Sequence, residues 1–291
     1  MTTTSTEDYS DKIYRLKTAV SEADAVVIGA GAGLSTSGGI EYTGERFQNN
    51  FADFIAKYHY NDMYSATFYP YDSLEEYWAY MSRHINMNRY AAPAGKPFSD
   101  LLELMKDKNY FVITTNVDHQ FQKAGFDKHR LFYTQGDYGL WQCGEPCHNE
   151  TYDNAETVAL MVSEQKDLRI PAELVPQCPK CGKPMSMNLR CDDTFVQDKG
   201  WHTAAKRYGD FLRMHMNLKT LYLELGVGGN TPGVIKYPFW KMTAQNPLAV
   251  YACVNLSEAV CPGEIQERSV CIDDDAGRVL SDLVTLYNRY F

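Results

Sequence analysis

Residues 25–40, running Ala25-Val26-Val27-Ile28-Gly29-Ala30-Gly31-Ala32-Gly33-Leu34-Ser35-Thr36-Ser37-Gly38-Gly39-Ile40, constrain this chain more than any other stretch. A β-branched apolar run breaks into five glycines within eleven residues, interleaved with small hydroxyl side chains. A buried parallel strand reads as a continuous apolar run. Glycines directly after it let main-chain N–H groups approach a pyrophosphate with no Cβ in the way, and a helix starting there adds its positive dipole end. The stretch reads as a nucleotide cradle. A tight turn after a core strand is the plainer alternative, but a turn needs fewer glycines.

The kind of cradle is narrowed by what is missing. Gly29-x-Gly31-x-Gly33 lacks the G-x-G-x-x-G spacing of hydride-transferring enzymes, and no second strand ends in an acid about 20 residues on. No Gly-Lys-Ser/Thr closes a phosphate loop of the Walker kind. The net charge of -9, from 28 basic and 37 acidic residues, argues against nucleic acid as a partner. No apolar leader or membrane-spanning run is present, so the expected setting is the cytoplasm with no membrane partner.

Along the chain, helical spacing of Tyr9, Ile13, Leu16 and Val20 predicts an amphipathic helix over residues 6–22, capped by Ser5. Residues 41–97 are rich in Tyr and Phe at helical spacing and predict a helical insertion. A helix over 98–106 leads to a strand at 110–114, and an apolar stretch follows at 130–134. Secondary structure between Cys143 and Val196 is not assignable from pattern. Further on come a helix over 201–217, a strand at 221–225, and the loop Gly226-Val227-Gly228-Gly229-Asn230-Thr231-Pro232, with Thr231 as N-cap and Pro232 at the first turn of a helix. A strand over 249–254 and a closing helix over 276–290 complete the pattern. Alternating strands and helices predict an α/β fold, a Rossmann-like doubly wound parallel sheet with a smaller zinc-binding and helical lobe. The expected division is 1–40, 98–136 and 201–291 as the nucleotide-binding domain, 41–97 as the helical insertion and 137–200 as the zinc-binding insertion.

Eight cysteines do not make a disulfide scaffold at this length. Cys143-x3-Cys147 and Cys178-x2-Cys181 form two close couples with the spacing of a closed, structural S4 zinc site. Four unrelated thiols are the alternative. His148, beside Cys147, offers a substitute ligand but is expected to be exposed. Cys191, Cys253, Cys261 and Cys271 are scattered and read as buried small side chains or inert thiols.

With these pieces in order, the chain resembles a sirtuin, and more narrowly the macrodomain-linked class of microbial sirtuins that act as protein ADP-ribosyltransferases. Residues Gly31 to Ile40 are similar to the sirtuin Gly-Ala-Gly-x-Ser-x-x-Ser-Gly-Ile loop, with Gly38 at the second serine. Thr114-Thr115-Asn116-Val117-Asp118 resembles Thr-Gln-Asn-Ile-Asp, and the zinc couples follow. The resemblance implies NAD as cosubstrate and structural zinc. It implies cofactor contacts from Gly31, Ala32, Gly33, Ser35, Asn116, Asp118, Gln135, Gly226, Val227, Gly228, Asn230, Thr231, Asn255, Asp275 and Ala276. By this carry-over Asp118 holds the nicotinamide amide, Asn116 orients the ribose and a water, Asn255 meets the adenosine ribose, and Asp275-Ala276 hold the adenine.

Three departures matter. Gln135-Gly136 stands where sirtuin deacylases carry His-Gly, and a glutamine amide takes up no proton near neutral pH. Glu41 to Phe47 departs from Pro-Asp-Phe-Arg. Around Arg190, the segment Leu189-Arg190-Cys191-Asp192-Asp193-Thr194-Phe195 lacks the proline and Gly-Glu of acyl-lysine binders, so Arg190 faces either the acceptor or a cofactor phosphate, or pairs on the surface with Asp192 or Asp193. The resemblance therefore implies a mono-ADP-ribosyltransferase with Asn116 and Gln135 as catalytic residues. Its implied protein acceptor is a lipoylated carrier related to the glycine cleavage H protein, with a macrodomain hydrolase as counterpart. A weak deacylase, or a module that binds NAD or ADP-ribose without turnover, is the alternative. His119, next to Asp118, is a possible substitute base that equally well packs or faces solvent.

Overall fold

The computed structural model describes residues 8–229 and 232–288. The chain opens with α1 (Tyr9–Glu22), β1 (Ala25–Ala30) and α2 (Ala32–Ser37). The helices α3 (Gly44–Tyr58), α4 (Met63–Thr67) and α5 (Leu74–Ile85) follow, closing in a π-helical turn at Asn86–Tyr90. Then come α6 (Lys96–Met105), β2 (Tyr110–Thr114), α7 (Gln120–Lys123), β3 (Leu131–Tyr133), β4 (Gly136–Cys143), β5 (Tyr152–Asp153), α8 (Ala155–Glu164) and β6 (Met185–Leu189). The chain ends with α9 (Lys199–His215), β7 (Thr220–Leu225), α10 (Lys236–Gln245), β8 (Val250–Val254), β9 (Ser269–Ile272) and α11 (Ala276–Asn288). No helix among the described residues is long and apolar enough to cross a membrane.

Six strands form an all-parallel sheet in the order β3-β2-β1-β7-β8-β9. The chain winds outward from β1 through β2 to β3, then returns to β7 on the other side of β1 and winds outward again. That is the doubly wound arrangement expected from sequence, and its switch point lies between β1 and β7, where open α/β sheets bind ligands. The alternation of β1 shows why the sheet is covered on both faces. Val26, Ile28 and Ala30 join a core with Leu16 of α1, Leu101 of α6 and Leu280 of α11, while Ala25 and Val27 join Phe211 of α9 and Phe239 of α10 on the other face. Gly29 continues the second row without a side chain, because a Cβ there would lie 2.3 Å from Ile235 Cγ2.

The two insertions share one core. Phe47, Phe51, Phe54, Trp78, Tyr80 and Met81 from the helical segment pack with Tyr138, Trp141, Val158, Met161, Met185 and Met187 from the later one. The segment that pattern alone could not assign is a three-stranded antiparallel sheet in the order β5-β4-β6, with α8 beside it.

Several boundaries differ from the sequence expectations. Asp8 caps α1, its side chain accepting from Tyr9 N, and Ser5 lies outside the described residues. The helix expected from residue 98 begins at Lys96, after Gly95 as N-cap and with Pro97 in its first turn. After β7, Pro232 lies in a turn and the helix begins four residues later at Lys236; Thr231 lies outside the described residues. The short edge strand β9 went unrecognised in the sequence.

The delayed start of α10 places a buried charge. Glu224, fully buried within β7, accepts from Lys236 Nζ at 2.5 Å and from the Tyr251 hydroxyl at 2.7 Å. Burial works against the charge on Lys236, yet the negative charge it meets raises its pKa. A carboxylate inside a parallel sheet persists only with such partners. Lys236→Met is expected to destabilise the fold by about 3–5 kcal/mol, read as a lower denaturant midpoint. Adding Glu224→Gln is expected to recover part of the loss. An unchanged midpoint in the single variant would mean that Glu224 carries no charge in the folded chain.

Candidate active site

The carboxyl ends of β1 and β7 bring the two glycine loops into backbone contact. Gly31 N donates to Leu225 O at 3.0 Å and Gly33 N to Gly226 O at 2.9 Å. A Cβ on Gly33 would lie 2.7 Å from Gly226 Cα, and one on Gly31 would lie 2.6 Å from Gly226 O. Gly226 has a φ of 60°, and a Cβ there would lie 2.4 Å from Leu34 N. α2 starts directly from this crossing, with Gly31 as N-cap and no side-chain cap, and two of its first N–H groups are taken by main chain, Gly33 N by Gly226 O and Leu34 N by Gly31 O at 3.1 Å. Ala32 is the first residue of that helix.

The end of β2 supplies the next residues. Asn116 Nδ2 donates to Gly31 O at 2.9 Å and to Ser35 Oγ at 3.0 Å. Ser35 Oγ in turn donates to Asp118 Oδ2, and Gln120 N donates to Asp118 Oδ1 at 3.1 Å. Burial pushes Asp118 above the ordinary carboxylate range, against these two hydrogen bonds, which favour its charged form. Ser35, Asn116 and Asp118 thus form one polar chain beside the glycine crossing.

Gln135 lies between β3 and β4, its carbonyl accepting from Arg190 N at 3.0 Å. No hydrogen bond holds its side chain among the described residues. Gly136, the first residue of β4, follows with φ 97°, where a Cβ would lie 1.8 Å from Asn188 O, so only glycine fits there. Arg190 does not pair with Asp192 or Asp193: its guanidinium lies over Phe195 at 4.6 Å and Trp201 at 5.8 Å, and Asp192 is engaged by Thr194. Stacking of a weakly hydrated planar cation on aromatic faces favours this arrangement.

The outer strands carry the remaining residues. Asn255, after β8, donates from Nδ2 to Val227 O at 2.9 Å and so braces the second glycine loop. The Val227 side chain is buried in the core, whereas Gly228 is exposed. Asp275 accepts from Ser37 Oγ at 2.6 Å and from Arg278 N at 2.9 Å, tying α2 to the start of α11, where Ala276 is buried. Asn230 and Thr231 lie outside the described residues. All these strand-linked positions lie at the carboxyl edge of one sheet; Arg190 reaches it from the end of β6.

His119 was named from the sequence, but its partners behind this edge were not. His119 Nδ1 lies 2.6 Å from Asp137 Oδ2, and Arg89 Nε donates to Asp137 Oδ1 at 2.7 Å. Burial opposes the charge on Asp137, but the His119 hydrogen bond and the Arg89 charge hold it below the ordinary carboxylate range. In place of Pro-Asp-Phe-Arg, Tyr42 shares a 2.6 Å hydrogen bond with Tyr138, and both rings stand edge-on to His84. Burial lowers the His84 pKa to about 3, so it is neutral. Arg89, Tyr42 and His84 belong to no motif; in this group only His119, directly after Asp118, carried a signal.

The two cysteine couples meet. The sulfurs of Cys143, Cys147, Cys178 and Cys181 lie within 4.8 Å of one another, with Cys143–Cys181 at 3.6 Å and Cys147–Cys178 at 3.8 Å. Zinc–sulfur bonds of about 2.3 Å in a tetrahedron place sulfurs about 3.8 Å apart, so the cluster fits structural zinc. His148 is not exposed as expected. Its Nδ1 lies 3.0 Å from Cys147 Sγ and its Nε2 lies 2.7 Å from the Tyr152 hydroxyl, an orienting contact outside the four sulfurs.

No protein-family model matches the chain. A protein ADP-ribosyltransferase of Staphylococcus aureus (strain Mu50) is 44% identical over 271 residues, covering 93% of this chain and 85% of that protein. A probable bifunctional ADP-ribose hydrolase/ADP-ribosyltransferase of Fusarium oxysporum f. sp. cubense is 32% identical over 283 residues, covering 90% of this chain and 46% of that longer protein. Among solved structures, a Sir2 homologue in complex with NAD superposes with a TM-score of 0.63 at 18% identity, covering 95% of this chain and 94% of that one. A mutant Sir2 homologue in complex with ADP-ribose gives 0.62 at 16% identity, covering 95% and 96%. The structural likeness shows the fold.

Metal analysis of the purified chain is expected to find stoichiometric zinc. Its removal by a chelator is expected to lower the melting temperature and expose thiols, as is Cys143→Ser. A full melting temperature after complete zinc loss would show that the four sulfurs need no ion.

Proposed function

The chain belongs to the sirtuin-like protein ADP-ribosyltransferases, and on that premise we propose that it splits NAD and passes the ADP-ribosyl group to a protein. In the proposed reaction the glycosidic bond to nicotinamide breaks, nicotinamide leaves as a neutral base, and the anomeric carbon bonds to a nucleophile of the acceptor. Gly31, Ala32, Gly33, Gly226, Gly228, Asn230 and Thr231 neutralise the pyrophosphate, while Asp118 holds the nicotinamide amide. Asn116, fixed by Gly31 O and Ser35, orients the ribose as positive charge develops at the anomeric carbon. Asn255, Asp275 and Ala276 take the adenosine end, and Arg190 faces the acceptor or a cofactor phosphate.

The observation that carries this reading is Gln135. An amide orients a ribose hydroxyl but accepts no proton near neutral pH, which removes the general base that deacylation needs and leaves bond cleavage intact. The acceptor in this reading is a lipoylated carrier protein related to the glycine cleavage H protein, supported by the likeness to macrodomain-linked sirtuins. A macrodomain hydrolase is the functional counterpart, supported by the Fusarium relative, whose name joins an ADP-ribose hydrolase to the transferase.

Incubation with labelled NAD and the lipoylated carrier is expected to add the ADP-ribosyl mass to the carrier and release an equal amount of nicotinamide. Asn116→Ala and Gln135→Ala are each expected to lower the rate by about 10²-fold or more. If neither the carrier nor any lysate protein is labelled, the transferase reading is wrong. NAD-dependent release of acyl groups from lysine peptides would support deacylation instead, and tight NAD binding without nicotinamide release would support a binding module.

A further inference from the structure

We infer that His119, Asp137 and Arg89 form a positioning bridge that sets the Asn116–Asp118 loop against Gln135; this role rests on the transfer reaction proposed above. Three separate segments meet in it. His119 directly follows Asp118, Asp137 stands two residues after Gln135, and Arg89 comes from the π-helical turn that ends the helical insertion.

The bridge is fully used at its centre. Asp137 is buried, and its two oxygens take the His119 imidazole at 2.6 Å, Arg89 at 2.7 Å and Gly139 N at 2.7 Å. Since Arg89 and His119 keep the carboxylate charged, the imidazole nitrogen facing it must be the protonated one. The bond between His119 and Asp137 is therefore charge-assisted and directional, and its buried end cannot swing to water.

The backbone of His119 gives independent support. Its φ is 66°, a left-handed conformation that glycine adopts freely and that costs other residues free energy. A side chain is retained at a position where glycine fits better, and its contact is the bridge. On the other side, Gly136 packs directly against Asn188 O, where a Cβ would lie at 1.8 Å, so the step from Gln135 to Asp137 is closely fitted. The Gln135 side chain has no hydrogen bond among the described residues, so the main chain sets its place. That main chain is held by Arg190 N on one side and the Asp137 bridge on the other. Displacement of a reacting group by about 1 Å is enough to cost about 10²-fold in rate.

Two variants separate positioning from other roles. His119→Gly removes the imidazole and relieves the positive φ, while Asp137 keeps Arg89 and Gly139 N as partners; the melting temperature of the variant is read beside the rate. His119→Asn keeps an amide donor for Asp137 on a residue that tolerates the left-handed region. In the labelled-NAD assay with the carrier, His119→Gly is expected to lower kcat about 10- to 100-fold, with KM for NAD and NAD affinity by calorimetry moving less than about threefold. His119→Asn is expected to recover most of the lost rate. His119→Gly at the wild-type rate, or with NAD affinity falling in step with the rate, overturns the bridge. His119→Asn as slow as His119→Gly overturns it as well, because the imidazole itself is then required. A wild-type chain that transfers nothing overturns the proposed function and this role with it, whereas wild-type transfer beside an unimpaired His119→Gly overturns the bridge alone.

Discussion

The crossing of the two glycine loops presses main chain against main chain, and the rest of the edge is arranged around it. Gly31 and Gly33 sit against Gly226 at distances that no Cβ tolerates, and two N–H···O bonds fasten the contact. The crossing joins the strands on the two sides of the topological switch and holds the start of α2 against the second glycine loop. Asn116 and Ser35 then attach the β2 loop to the same spot, and Asn255 braces the far loop from β8. Each of these side chains bonds to backbone that the crossing has already placed.

Much of the sheet was legible in the sequence for a physical reason. Parallel strands buried on both faces are continuous apolar runs, so β1 and β2 read off with their observed limits, and β7 and β8 to within a residue. The cysteine couples were legible because metal ligation needs particular atoms at short spacings. Other features were not, because their partners lie far away in sequence. β9 is four residues of mixed character, Ser-Val-Cys-Ile, that become a strand by pairing with β8. Lys236, the first residue of α10, pairs with a charge buried twelve residues earlier in β7, a contact no local pattern shows. At the site, positions in contiguous motifs were nameable, whereas the bridge through Arg89 and the pair Tyr42–Tyr138 exist only after the insertions fold against each other.

The second lobe shows how two insertions that lack separate cores become one body. Aromatic residues at helical spacing leave α3 and α5 with an apolar face that has no sheet of its own to cover. The antiparallel strands and α8 supply that cover, and Trp78 meets Trp141 edge-to-face across the join, with ring centroids 5.2 Å apart. The ion pairs of buried Glu76 with Lys57 and Arg169 bind the same two insertions at their rim.

β4 has a consequence that spans both lobes. It begins at Gly136, beside Gln135, and ends at Cys143 in the sulfur cluster. Its eight residues lead from Gln135 to the sulfur cluster, with a shift of register against β6 between Gly136 and Trp141. One strand thus ties the sulfur cluster of the second lobe to the main chain that carries Gln135.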